Sequence, residues 1–529
     1  MITQESITCT SLRSSLRFGL LISLFLSITT GCAVNPVTGK RELNFISEGQ
    51  ELNIGEAQYE PSQQSQGGIF KVDQALTRYV NRVGQRVARV SDRALPYEFV
   101  VLNNPVPNAW ALPGGKIAVN RGLLVELNSE AELAAVLGHE VVHAAARHGA
   151  NAMQRGLVMQ GLMMATTIGA AGSEYGNYIV GGAQLGAQLV TTKYGRDAEL
   201  EADYYGMQYM ARAGYDPKAA IGLQETFVRL SQGRASSWLD GLFASHPPSM
   251  ERVDKNRQTA LELSVNGEIN EAQYREKMAI LTRLAPAYAA QDVANKLAAN
   301  KDLPAALMAI NKAIKLAPSE ARFYGVQGEI LLSQKRYAKA VAAYSTALKK
   351  DNSYFEYYLG RGMARARLGE AQSARVDLEQ SYQLLPTALA GNELGQMALT
   401  AGNTTTAKAY FETAMNAGGD LGARAGAAFT RLDIVDNPHT YLRAQPVLSK
   451  DGELVAVVTN PTDLLINNIN VAISAVVNEL SVNRTLTLTR LAPGTQRSVS
   501  SGWQLSAEHR LTNVRVRVIS ADASEPHGS

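Results

Sequence analysis

The sequence predicts a multidomain α+β protein in which a mainly helical domain with a small sheet is followed by an α-solenoid and a small C-terminal β-sandwich. Three observations predict it. Apolar residues recur at helical spacing on either side of short strand-like runs between Val72 and Arg147, small residues repeat every 34 positions after about Gln291, and the periodicity falls to two after Thr440. At 529 residues, with 46% hydrophobic and 19% charged side chains, the chain is too long for one core and too apolar for wholesale disorder. Its 51 basic and 48 acidic residues leave a formal charge of +3, which removes the electrostatic footprint of a nucleic-acid binder. Two cysteines, Cys9 and Cys32, cannot build a disulfide framework or a thiolate zinc site.

In chain order, residues 1–31 read as a signal peptide. Arg13 and Arg17 precede an apolar run from Phe18 to Ile28, and the small residues Thr29, Thr30 and Gly31 lead into Cys32. The run falls short of the roughly 20 residues a membrane-spanning helix needs. A cysteine directly after small residues looks like a bacterial lipobox, with the mature chain starting at a lipidated Cys32, although Thr29 stands where Leu is usual. Ala33 follows where an inner-membrane retention signal has Asp, so the expected location is the periplasmic face of the outer membrane in a Gram-negative bacterium.

Residues 32–68 read as an N-terminal linker segment ending in the Gln, Gly and Ser rich stretch from Pro61 to Gly68. The domain at 69–265 opens with an amphipathic helix carrying Val72, Leu76, Val80, Val83 and Val87 on one face. Tyr97 to Leu102 reads as a strand, Asn103 to Asn108 as a proline-broken loop, Ala109 to Leu112 as a second strand, Pro113 to Gly115 as a turn and Lys116 to Asn120 as a third strand. The next helix starts after Ser129, an N-cap with Glu130 and Glu132 in its first turn, and runs to about Arg147. Leu157 to Gly172, rich in Met, Ala and Gly and interrupted by Gln160, suits a buried or mobile helical hairpin better than a membrane span.

Residues 266–288 read as a helical linker and 289–436 as tetratricopeptide repeats. Ala306, Ala340 and Ala374 align at 34 residues, as do Ala313, Ala347 and Ser381, then Pro318, Asn352 and Pro386, and finally Gly328 with Gly362. Small residues where two helices cross and a proline at the exit, in four registers in phase, are the mark of stacked helical hairpins. Residues 437–522 read as a β-sandwich-like domain: Ile469, Val471, Ile473, Ala475 and Val477 alternate with polar neighbours, followed by Leu486 with Leu488 and by Val514, Val516 and Val518. Residues 523–529 read as a tail.

The chemistry is concentrated in the helix after Ser129, which carries His139-Glu140-Val141-Val142-His143. At about 100° per residue, positions four apart differ by only about 40°, so both imidazoles project from one face and can converge on one zinc at about 2.0 to 2.1 Å. Glu140 lies beside them, placed to take a proton from the attacking water and pass it to the leaving amine. Leu133, Val136, Leu137, Val141 and Val142 surround the motif, and histidines without a partner are costly among apolar side chains. This makes the first domain zincin-type, with one Zn2+ per subunit. A catalytic zinc site needs a third protein ligand and keeps a position for water. The residues after His143, Ala144 to Gly149, contain no HxxGxxH continuation. The candidates lie in Glu199-Leu200-Glu201-Ala202-Asp203 on a second helix, where Glu199 and Asp203 share a face. One can ligate while the other accepts a hydrogen bond from a ligand imidazole, and on spacing alone Glu201 competes. His148 is about 140° around the helix from His143 and is given no role.

Five stretches together resemble the family of zinc metallopeptidases that includes the CAAX prenyl protease and the periplasmic β-barrel assembly-enhancing protease. They are Gly31 to Lys40 (GCAVNPVTGK), Pro107 to Gly115 (PNAWALPGG), His139 to His143, Glu199 to Asp203, and His246 to Arg252 (HPPSMER). The resemblance implies that Glu199 is the third ligand and that Asp203 completes the catalytic set with Glu140, acting behind a ligand. It implies that His246 reaches the zinc as a removable fourth ligand or plug, and it makes Arg252 a candidate contact for substrate or transition state. It also implies an exposed edge strand, Asn108, Ala109, Trp110 and Ala111, on which an extended substrate pairs its backbone. The function implied is a periplasmic zinc metalloendopeptidase, an HExxH gluzincin, acting on misfolded or stalled outer-membrane proteins. Partners are then unfolded or misassembled outer-membrane proteins, the β-barrel assembly machinery through the repeats, and the membrane through Cys32, with no nucleic acid. The alternative is a chaperone or adaptor at the outer membrane whose zinc site is latent.

Overall fold

The computed structural model describes residues 32–155, 193–233, 245–506 and 508–524. The expected signal peptide, the expected hairpin from Leu157 to Gly172 and the last five residues lie outside them. The chain divides into two compact units, residues 1–360 and 361–529. Among the described residues no helix is long and apolar enough to cross a membrane.

The first unit opens with a two-stranded antiparallel hairpin, β1 (Cys32–Val34) and β2 (Arg41–Leu43), followed by helix α1 (Glu48–Ser65). The expected linker at 32–68 is therefore a folded part of the domain, and its Pro61 lies inside a helix. Polar contacts hold it rather than an apolar stripe. Glu51 is fully buried and accepts from Arg93 Nη1 and Nη2 at 3.0 and 2.9 Å, while Tyr59 packs edge-on against Trp110. Helix α2 (Gln74–Ala88) follows, capped by Asp73, and buries Leu76, Val80, Val83 and Val87 as its periodicity requires.

Strands β3 (Glu98–Leu102), β4 (Ala109–Leu112) and β5 (Lys116–Asn120) form one sheet in the order β3-β5-β4, with β3 parallel and β4 antiparallel to β5. Helix α3 (Glu130–Ala145) is capped by Ser129, whose hydroxyl accepts from Glu132 N at 3.1 Å, and all 16 of its residues are buried. It ends two residues earlier than expected, because Arg147 takes φ 62° and breaks the helix before the chain resumes helical at His148.

Helix α4 (Arg196–Arg212) crosses α3 where Gly138 meets Gly206. A Cβ on Gly206 would stand 3.1 Å from His139 N, so glycine permits the close approach. Helices α5 (Ala219–Gly233) and α6 (Met250–Leu263) complete the layer around α3 and α4. The expected helical linker at 266–288 is instead part of one continuous 29-residue helix, α7 (Glu271–Ala299). This helix joins the domain core and also packs against the first repeat helix, α8 (Leu303–Leu316). Helices α9 (Ala321–Ser333) and α10 (Tyr337–Lys350) form the next hairpin, and α11 (Phe355–Arg367) carries the boundary between units.

The second unit continues with α12 (Ala371–Leu384), α13 (Ala388–Thr400), α14 (Thr404–Met415) and α15 (Gly419–Asp433). Ala306, Ala313, Ala340, Ala347, Ala374 and Ser381, the small residues read from the repeat, are all fully buried. Two of the hairpins bring a glycine against a large side chain: Gly328 faces Tyr344 and Gly395 faces Phe411. Two three-stranded antiparallel sheets close the chain. Their orders are β10 (Gln496–Gln504)-β7 (Glu453–Thr459)-β6 (Arg443–Leu448) and β11 (Leu511–Ser524)-β8 (Leu465–Val477)-β9 (Leu480–Leu491). Leu454, Ala456, Val458, Ile469, Val471, Ile473 and Val518 form their common core, as the alternation predicts. Strand β11 runs to Ser524, so the tail begins later than residue 523.

Candidate metal centre

His139 and His143 lie one turn apart on α3, and Glu199 enters from the first turn of α4. The Nε2 atoms of the two histidines stand 3.0 Å apart, with Glu199 Oε1 at 3.4 Å from His143 Nε2 and Oε2 at 3.6 Å from His139 Nε2. His246 places Nδ1 at 3.3 Å from His139 Nε2 and 2.9 Å from Glu199 Oε1. The four residues offer ligand atoms all within 4.8 Å of one another, and all four are buried.

A metal fits this set. Atoms sharing one tetrahedral zinc at about 2.0 to 2.1 Å stand about 3.3 Å apart, close to the separations found. Imidazole nitrogens facing each other without a cation between them also lack the donors to satisfy one another. Burial drives the His143 imidazole well below its usual pKa, leaving the neutral form that ligates. Burial works against ionisation of Glu199, yet the surrounding His246, His139 and His143 hold its carboxyl well below the usual range.

Around these atoms stands a ring of orienting groups. Asp203 Oδ1 lies 2.9 Å from His139 Nδ1 and so accepts a hydrogen bond from its N–H, leaving Nε2 free to ligate. Arg252 grips Asp203 at 2.6 and 2.7 Å, Glu199 Oε2 at 2.8 Å and Pro247 O at 3.3 Å. Burial opposes the charge on Asp203, but Arg252 and then His139 keep its carboxyl below the usual range. The guanidinium of Arg252, the expected candidate contact for substrate or transition state, is here taken up by two carboxylates and a carbonyl, which it positions.

Glu140 is 2% exposed, and its Oε2 has no hydrogen-bond partner among the described residues. Its Oε1 stands 3.6 Å from His246 Nε2. Burial raises its carboxyl above the usual range. A pocket walled by Leu123, Val136, Met207, Leu223 and Phe227 opens onto His139, Glu140 and His246.

Strand β4 takes the expected edge position, paired with β5 alone among the described strands, but the expected exposure is corrected. Ala109, Trp110, Ala111 and Leu112 are each at most 6% exposed, because Trp110 and Leu112 pack with Tyr59 of α1 while Ala109 and Ala111 face the main core. Asn108, just before the strand, is also buried.

Two neighbours of the centre escaped the sequence reading. Tyr194 stacks on His143 at 3.9 Å between ring centroids, and no spacing rule points to it. His148 Nδ1 stands 2.9 Å from His143 Nδ1. The helical-wheel argument against His148 assumed an unbroken helix, and the left-handed turn at Arg147 reverses its outcome. Glu201, the competing ligand on spacing, is instead paired with His148 at 3.6 Å and with Lys40.

Residues 74–260 match the model of Peptidase family M48, and residues 294–355 and 339–393 match a tetratricopeptide repeat. The chain is 32% identical to the mitochondrial metalloendopeptidase OMA1 of Schizosaccharomyces pombe over 45% of its own length and 69% of that protein. It is 27% identical to the β-barrel assembly-enhancing protease of Yersinia pestis over 64% of its own length and 74% of that protein. Among solved structures, the first repeat domain of Spaghetti (RPAP3) bound to an HSP90 peptide matches 22% of the chain and covers 93% of that structure, at 23% identity and a TM-score of 0.22.

Proposed function

The chain belongs to peptidase family M48 and is a metallopeptidase, and on that premise we propose that it is a periplasmic zinc endopeptidase for misfolded or stalled outer-membrane proteins. One observation carries the chemical part: His139, His143, Glu199 and His246 bring their ligand atoms within 4.8 Å of one another, beside a buried Glu140 whose Oε2 has no hydrogen-bond partner among the described residues. His139, His143 and Glu199 hold the zinc. When bound, it polarises a peptide carbonyl and makes a water acidic enough to attack near neutral pH.

The chain's own groups then move the protons. Glu140 takes a proton from the attacking water as the new carbon–oxygen bond forms, and returns it to the amide nitrogen as the carbon–nitrogen bond breaks. Asp203 fixes the tautomer of His139, and Arg252 keeps Asp203 ionised while pairing with Glu199. An extended substrate would add to the sheet beside strand β4, which favours unfolded chains over folded ones, once the cover that buries this strand gives way.

The substrate class is supported by the likeness to the β-barrel assembly-enhancing protease along most of that protein's length. The repeats supply contact with a partner such as the β-barrel assembly machinery, and a lipidated Cys32 holds the protein at the outer membrane. A second reading, a chaperone or adaptor with a latent centre, is favoured by His246, whose Nδ1 sits where a fourth ligand belongs. The two readings separate on incubation of the purified protein with an outer-membrane β-barrel protein, unfolded or folded, with and without a zinc chelator. The endopeptidase reading expects cleavage of the unfolded form alone, abolished by the chelator. Protection of the unfolded protein from aggregation without cleavage contradicts it.

A further inference from the structure

Several groups beside the centre are not used by the chemistry above, and one set forms a directed chain from the N-terminal hairpin to a ligand. His143 ligates through Nε2, so its Nδ1 carries the proton. That proton points at His148 Nδ1, 2.9 Å away, which must then be an acceptor. The proton of His148 is left on Nε2, and that atom faces Glu201 Oε2 at 3.6 Å. The other oxygen of Glu201 is paired with Lys40 from the hairpin. With His143 ligating through Nε2, this assignment of protons satisfies every link.

The hairpin is tied to this corner by more than Lys40. Asn35 Nδ2 donates to Ala146 O at 3.0 Å, a carbonyl that the end of α3 leaves without a helical partner. Asn35 and Asn151 both donate to Glu42, at 3.0 and 2.7 Å. Beyond the hairpin, Glu51 holds Arg147, the residue whose left-handed turn swings His148 back toward His143. Lys40 itself is 66% exposed along its side chain, so its link is reachable without opening the core.

We propose that the N-terminal hairpin is the outer support of the metal centre, with Lys40 holding Glu201, Glu201 holding His148, and His148 orienting ligand His143. These three are positioning residues, and the inference rests on His143 being a ligand. A partner that holds a ligating imidazole's second nitrogen changes metal affinity by about 10- to 100-fold when removed.

The test is zinc affinity by chelator competition in the purified protein, with the absorption spectrum of the cobalt-substituted form and the melting temperature of the metal-free form measured alongside. His148→Ala and Glu201→Gln should each raise the zinc dissociation constant by about 10- to 100-fold and alter the cobalt spectrum, with the metal-free melting temperature unchanged. Lys40→Ala should shift affinity in the same direction by a smaller factor, and Lys40→Arg should restore it. Wild-type affinity and spectrum in His148→Ala, or in Lys40→Ala, overturn the proposal while leaving the ligand reading intact. A wild type that takes up no zinc overturns both, so the two failures are distinguishable.

Discussion

His246 touches both halves of the centre, with Nδ1 against His139 and Glu199 and Nε2 toward Glu140. A side chain in that place would compete with water for the last position of the proposed zinc. Replacing it by Ala should raise cleavage of an unfolded substrate by about tenfold or more, equivalent to about 1.4 kcal/mol of barrier, measured as initial rates at equal zinc loading. Unchanged activity and coordination would make it an ordinary turn residue. At this scale the sequence was legible wherever spacing on one helix decides the geometry, as for His139 with His143 and Glu199 with Asp203. It was silent wherever the chain leaves the helix: the turn at Arg147 that brings back His148, and the approach of Tyr194 from a separate segment, follow from tertiary packing.

Among the elements, the crossing of α3 and α4 places the ligands. Gly138 and Gly206 let the two backbones approach, and His139 follows the first of them in sequence. Gly206→Ala puts a Cβ at 3.1 Å from His139 N and should cost about 1 to 3 kcal/mol by overpacking, read from denaturant unfolding. Because the helices must part to admit it, zinc affinity should fall as well, and a variant as stable and as tight-binding as wild type would contradict this account of the crossing. Helices with an apolar stripe, such as α2, could be read from periodicity. Helix α1 could not, since the residues it buries include Glu51, Gln58, Gln63 and Gln64, which look solvent-facing until their partners are known. The 34-residue repeat was visible because small residues recur in phase. The hairpin that pairs Gly395 with Phe411 lies 33 residues beyond Gly362, so a comparison at 34 loses it.

For the molecule as a whole, the first unit holds the peptidase domain and the first repeats in one core. Glu320, 2% exposed at the start of α9, accepts from Asn103 of the peptidase domain at 3.3 Å, from Tyr288 of α7 and from Arg322 N at 2.9 Å. Arg121 lies 3.5 Å over the Tyr288 ring beside them. Glu320→Ala removes the shared acceptor and should cost about 3 kcal/mol, splitting one unfolding transition of this unit into two in calorimetry. A single transition at the wild-type temperature would contradict that coupling. The central claim is that this chain cuts peptides with zinc held by His139, His143 and Glu199 and with protons carried by Glu140. It is tested most directly by zinc content and degradation of an unfolded protein measured together for the wild type and Glu140→Gln. The account predicts one zinc per chain in both and degradation by the wild type alone; proteolysis retained by Glu140→Gln, or zinc absent from it, would contradict the account.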